Sequence, residues 1–175
     1  MNQLVKIILF LFIAHCSMLT ATAQAPGKPY NENQDVRADL KKAKEQAMKE
    51  NKHILIQFGG NWCPWCMKFH ALVTGLPKLD SLMKKNYVYL LVNVPHEKLK
   101  RDNDLFREFG YPNRFGFPVF VILDKNGNRL NTQDSDAFEH SDPRVKGYDT
   151  TKVARFLTMW TPETLNPATY KAATR

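Results

Sequence analysis

Apolar positions recur along this chain in two rhythms, and their alternation predicts the elements. From Asp35, a candidate helix cap, Val36, Leu40, Ala43, Ala47 and Met48 are spaced to share one face of a helix. Ile54-Leu55-Ile56-Gln57-Phe58 is then a short, largely apolar run closed by Gly59-Gly60. Such a run suits a strand covered on both faces, as in parallel or mixed sheets. Helical spacing returns near Pro64 with Met67, Phe69, His70 and Val73, until Gly75 and Pro77 interrupt it; Leu79 to Lys85 reads as a further short helix. Tyr87 to Val92 has strand composition. Glu97 to Phe109 is charged and periodic, with Leu99, Leu105, Phe106 and Phe109 as inward positions. Pro118 to Leu123 is the clearest strand, and the Asn126-Gly127 turn should return the chain along Arg129 to Thr132. Residues 133–147 read as a polar surface excursion. Thr150 or Thr151 would cap a last helix through Val153, Phe156, Leu157 and Trp160, stopped by Pro162 and followed by a tail over 163–175. The order α-β-α-β-α-β-β-α is that of an α/β domain over 35–162.

The first residues follow neither rhythm. Lys6 is the only charge within 1–23, Ile7 to Ala14 is apolar, and Ala21-Thr22-Ala23 has the small-residue pattern of a cleavage site. This segment is expected to be a signal peptide directing the chain to the periplasm or outside the cell. Its apolar run is short of the ~18 residues a membrane span needs. Anchoring as a lipoprotein through Cys16 is disfavoured, because His15 stands where a small residue is wanted. Residues 24–34 are polar with Pro and Gly, and read as a leader or linker. The 175 residues fit one domain. The formal net charge is +8, but no run of five basic residues appears, so nucleic acid is not an expected partner. Of three cysteines, removal of 1–23 leaves Cys63 and Cys66 alone.

The chemistry converges on Gly59-Gly60-Asn61-Trp62-Cys63-Pro64-Trp65-Cys66, directly after a predicted strand and opening a predicted helix. Positions i and i+3 share a helix face, so the two sulfurs can close a small ring. The first sulfur sits where unpaired backbone N–H groups and the helix dipole favour thiolate over thiol. Pro64 suits the first turn, where its missing N–H has no helical partner. Cys63 is therefore the expected attacking thiol and Cys66 the resolving one. A purely structural disulfide three residues apart would cross-link almost no chain. A zinc site needs four ligands and only His70 is near enough to add one; haem attachment needs a His after the second Cys, where Met67 stands. Asp134, Asp136, Glu139 and Asp142 match no calcium-loop spacing and read as a solvated face. Neither a metal nor another cofactor is expected.

The block Ile54 to Cys66 resembles the strand, Trp-Cys-x-x-Cys and helix start of the thioredoxin superfamily, and the likeness runs from about Asp35 to Trp160. Trp-Cys-x-Trp-Cys and the late Tyr148-Asp149 are similar to exported bacterial thioredoxin-like proteins. The resemblance implies a thioredoxin-like fold, a central mixed sheet with helices on both faces. It implies Cys63 as nucleophile, Cys66 as resolving thiol, and a cis-proline opposite them. Pro118, which opens a strand, suits that place better than Pro112. Phe117 before it would then offer its backbone to an extended substrate. Trp62 would pack over the disulfide, and Trp65, expected to be exposed, would contact substrate. Three departures stand out: Gln57 replaces a buried acid and cannot titrate, Pro64-Trp65 replaces Gly-Pro between the cysteines, and Met67 replaces a basic residue. His70 reads as a surface histidine. The expected function is thiol–disulfide exchange as a monomer, read as reduction of protein or small-molecule disulfides, with a membrane redox partner to restore it. The alternatives are net oxidation of thiols and a non-catalytic binding module.

Overall fold

A computed structural model describes residues 27–98 and 104–172. The segment 1–23 with Cys16, the start of the leader and Leu99 lie outside the described residues. Helix α1 (Val36–Glu50) is capped by Asp35, whose carboxylate accepts the Ala38 N–H, and it ends at Asn51 in the left-handed conformation, φ 52°. It buries Leu40, Ala43 and Ala47. Met48, expected inward, is 61 % exposed, because each residue advances about 100° around a helix and Ala47 already takes the core position.

Strand β1 (His53–Gly59) is buried at every position and sits between two others, in the order β2-β1-β3-β4. Helices α2 (Pro64–Gly75) and α3 (Pro77–Asn86) form the crossover that lets β2 (Tyr87–Asn93) pair parallel with β1. Strand β3 (Val119–Leu123) pairs antiparallel with β1, and β4 (Arg129–Asp134) antiparallel with β3. Asp124 fastens that hairpin by accepting from the Asn126 and Asn128 N–H groups, and Gly127 takes φ 90°, a conformation glycine tolerates.

The sheet is mixed and has helices on both faces. Because strand side chains alternate, Ile54, Ile56 and Phe58 pack with Val119, Val121, Leu123 and α1 on one face. Leu55 packs with Phe69, Val73, Phe120, Ile122, Val153 and Leu157 on the other. In the charged stretch 97–109 the described residues form two short elements. A 3-10 turn covers His96–Lys98, and helix α4 spans Asp104–Glu108, seating Phe106 edge-on and Phe109 tilted against Phe58.

Helix α5 (Thr150–Met159) is capped by Asp149, not by either threonine; its carboxylate accepts from Thr151 and Lys152 N–H. The tail holds a short helix α6 (Pro167–Ala172). The excursion is also more ordered than its composition implies. Its first two residues extend β4, Tyr148 bridges Glu139, and Phe138 is buried 4.8 Å from Phe156 and 5.6 Å from Phe120. One aromatic in a polar run is enough to pin it.

Candidate active site

Strand β1 delivers the chain to Gly59, and the Cys63 N–H closes a turn on the Gly60 carbonyl at 3.1 Å. Cys63 then occupies the N-cap of α2 with extended backbone, φ −100° and ψ 105°, and Pro64 opens the helix. Cys63 and Cys66 form a disulfide, and the Cys66 N–H points at Cys63 Sγ from 3.2 Å. A thiolate on Cys63 would thus meet a free helix-terminal N–H. Cys66 lies one turn in and is completely buried; Cys63 retains a sliver of exposure, 3 %.

Opposite the pair, the Phe117–Pro118 peptide is cis, and the Phe117 carbonyl oxygen is 3.6 Å from Cys63 Sγ. Pro118 is buried at the start of β3, where a missing N–H interrupts no ladder bond within the strand. Phe117 is half-buried and packs against the cysteines. Trp62 is 37 % exposed and meets Phe117 and His96 edge-on at 5.8 and 5.5 Å, while its Nε1–H donates to the Val94 carbonyl at 2.8 Å. The indole lies back against Gly60, where a Cβ would collide with it.

Trp65 departs from expectation. It is half-buried, edge-on to Tyr148 at 5.1 Å, with the Lys68 ammonium 4.5 Å above its ring. The Tyr148 hydroxyl donates to the Trp65 carbonyl at 3.3 Å. A large aromatic is more stable against another ring than in water, so Trp65 forms the wall of the site next to α5 rather than a free projection. His70 is half-buried too. Its ring stacks on Tyr89 at 6.0 Å, its Nδ1 has no hydrogen-bond partner, and burial lowers its pKa.

Behind the disulfide, Gln57 is fully buried on the same sheet face as Leu55. Its amide nitrogen donates to the Cys66 carbonyl at 3.0 Å and to the Tyr30 hydroxyl at 2.6 Å, and its oxygen accepts from the Tyr89 hydroxyl. Tyr30 belongs to the segment read as a linker, yet it is 2 % exposed and packs directly on Cys63 and Cys66. Asn61 clamps its backbone, accepting from the Tyr30 N–H at 3.1 Å and donating to the Tyr30 carbonyl at 2.9 Å. Gln34 ties down the other end, donating to the Leu91 carbonyl at 2.8 Å and accepting from the Asn93 N–H at 3.0 Å. Residues 30–34 are therefore a strap over the site. The available signal was a lone aromatic among polar residues.

Taken together, Cys63, Cys66, Trp62 and Phe117 meet at one place, Pro118 follows directly behind Phe117, and Trp65 forms a side wall. His70 stands one helical turn away. A vicinal cysteine pair at a helix start can open and close by thiol–disulfide exchange. The described residues contain no cluster of three or more His, Cys, Asp or Glu side chains placed to hold a metal ion, and no helix long and apolar enough to cross a membrane.

Known proteins share part of this sequence and its fold. The thioredoxin-like protein HCF164, chloroplastic, of Oryza sativa subsp. japonica is 30 % identical over 84 residues, which is 48 % of this chain and 29 % of that protein. The protein of the same name from Arabidopsis thaliana is 29 % identical over equal shares, so the match spans less than a third of either relative. Among solved structures, the disulphide isomerase from Xylella fastidiosa Temecula1 is similar with a TM-score of 0.63 and 22 % identity, covering 77 % of this chain and 97 % of that one. That likeness is one of fold. Residues 40–135, more than half of the chain, match the thioredoxin-like domain family, and this protein belongs to it.

Proposed function

We propose that this protein is an extracytoplasmic thiol–disulfide oxidoreductase that reduces disulfides, with residues 1–23 as its export signal and residues 35–162 as its working domain. The observation that carries this reading is the Cys63–Cys66 disulfide at a helix start, its outer sulfur 3.6 Å from the Phe117 carbonyl. In the reduced protein the Cys63 thiolate attacks a substrate disulfide, forms a mixed disulfide and releases one substrate thiolate. Cys66 then loses its proton and attacks Cys63 Sγ. The Cys63–substrate bond breaks, a second substrate thiolate leaves, and two electrons have passed from the cysteines to the substrate. The backbone of Phe117 would hold an extended substrate chain as an added strand, with Trp62 and Trp65 on either side.

What supports reduction over oxidation is how little holds the Cys63 thiolate. The described contacts of Cys63 Sγ give it one backbone N–H, and the Lys68 ammonium lies over the Trp65 ring. A strongly oxidising pair needs its reduced form held more firmly than that. A reductase must recover two electrons each turnover, so a dithiol partner, supplied through the membrane, completes the cycle.

The test is a trap. Cys66→Ser should accumulate mixed disulfides between Cys63 and substrate proteins in an extracytoplasmic fraction, visible as adducts that collapse under reductant, and Cys63→Ser should accumulate none. A folded Cys66→Ser protein that captures nothing would favour a non-catalytic binding module.

A further inference from the structure

Gln57 stands where the thioredoxin resemblance places a buried acid, which leaves the resolving step without an obvious helper, and the hydrogen-bond geometry identifies a candidate. The Cys66 carbonyl can only accept, so the Gln57 amide must present its NH2 group on that side. That orientation puts the amide oxygen on Tyr89, which donates to it, and the second amide hydrogen on Tyr30. Tyr30 Oη is therefore an acceptor in its bond to Gln57, and its own hydrogen is left for another group. The Cys66 side chain packs in the same buried cluster as Tyr30. A methyl added at Gly59 would collide with Cys66 Sγ and lie 2.7 Å from Tyr30 Oη, so the glycine keeps hydroxyl and sulfur on either side of one small gap.

We propose that the Tyr30 hydroxyl donates a hydrogen bond to the Cys66 thiolate while that sulfur attacks the mixed disulfide on Cys63. This deepens the exchange reading above and rests on it. The proton of Cys66 leaves with the first substrate thiolate, directly or through water. Tyr30 transfers no proton; it holds the negative charge on Cys66 until the new Cys63–Cys66 bond forms and the second substrate thiolate carries the charge away. Such help is needed because a completely buried thiol resists ionisation. The titratable neighbours of this network are Cys63 at the start of the same helix, Tyr30 on the strap, Tyr89 on β2, Tyr148 ahead of α5, and His70 on α2, which stacks on Tyr89 and whose burial lowers its pKa and keeps it neutral near neutral pH. Burial raises the pKa of all three phenols, so each stays neutral and none competes as a charge.

Ellman's reagent reads the two steps separately, releasing one coloured thiolate when Cys63 attacks and a second when Cys66 resolves. In the reduced protein without residues 1–23, whose only thiols are Cys63 and Cys66, Tyr30→Phe should slow the second release by about tenfold near neutral pH, as expected for a lost hydrogen bond to a charged group. The midpoint of its pH profile should move up by about one unit, and the first release should be unchanged. Tyr87→Phe, which removes a buried hydroxyl bonded to the Leu157 carbonyl away from the site, is the control and should move neither release. An unchanged second release in Tyr30→Phe, or an equal slowing in Tyr87→Phe, would overturn the proposal. Should Tyr30→Phe not fold, 3-fluorotyrosine at position 30, a stronger donor of the same shape, should lower the midpoint; an unchanged or higher midpoint would overturn it equally. Absence of a second release in the unaltered protein would instead contradict the exchange reading itself.

Discussion

His70 shows how one side chain ties the site to the medium. Its ring is stacked on Tyr89 and half-buried, and that burial holds its pKa below the ordinary 6.5. The unfolded chain therefore takes up a proton at this position before the folded protein does. The resulting contribution to stability is complete above pH 6.5 and is lost as pH falls from there through the lower, folded value. Melting temperature should drop between pH 7 and 5, and His70→Phe, which keeps the stacking and removes the titration, should show a smaller drop. An equal drop in both proteins would mean that His70 pays no protonation cost. Residue identity also explains what reading the chain alone could reach. Cys63, Pro64 and Cys66 were legible because i, i+3 spacing and helix-start chemistry are local. Tyr30 was not, since its burial depends on Asn61 clamping its backbone and on Gly59 lacking a side chain, both far away in sequence.

Elements were legible where periodicity was long and went astray where one residue decided the outcome. The apolar runs that became β1 and β3 were plain, because strands buried on both faces tolerate few polar residues, and β2, only partly buried, showed as an apolar, β-branched and aromatic run. The start of α5 was misread by one residue: Asp149 outcompetes the threonines because its carboxylate reaches two N–H groups at once. Within residues 133–147 the buried aromatic Phe138 went unread, because it has no periodic companions. These two features should differ sharply in weight. Asp149→Ala removes a cap and should cost about 1 kcal/mol of unfolding free energy. Phe138→Ala leaves a cavity among Phe69, Phe120 and Phe156 and should cost about 3–5 kcal/mol. Urea denaturation of the two variants checks the order; equal losses would show that the excursion is not anchored through Phe138.

At the scale of the molecule, the fold places one reactive pair where three parts of the chain meet. The end of β1 and start of α2 supply the sulfurs, the turn into β3 supplies the Phe117 backbone, and the strap at 30–34 closes the rear. The mixed sheet holds these parts in register, because β1 is paired on both sides and cannot slide. The central claim is that Cys63 and Cys66 are a reversible two-electron couple poised for reduction, and a redox titration addresses it most directly. The protein would be equilibrated in dithiothreitol or glutathione buffers of stepped potential, quenched with acid, and its free thiols counted by mass after alkylation. A single two-electron transition is expected, lost in Cys63→Ser and Cys66→Ser. Its midpoint should lie nearer the roughly −270 mV of thioredoxin than the roughly −120 mV of a strong periplasmic oxidant. A pair that stays oxidised throughout would make the disulfide structural, and a midpoint near the oxidising limit would reverse the direction; either result contradicts the account.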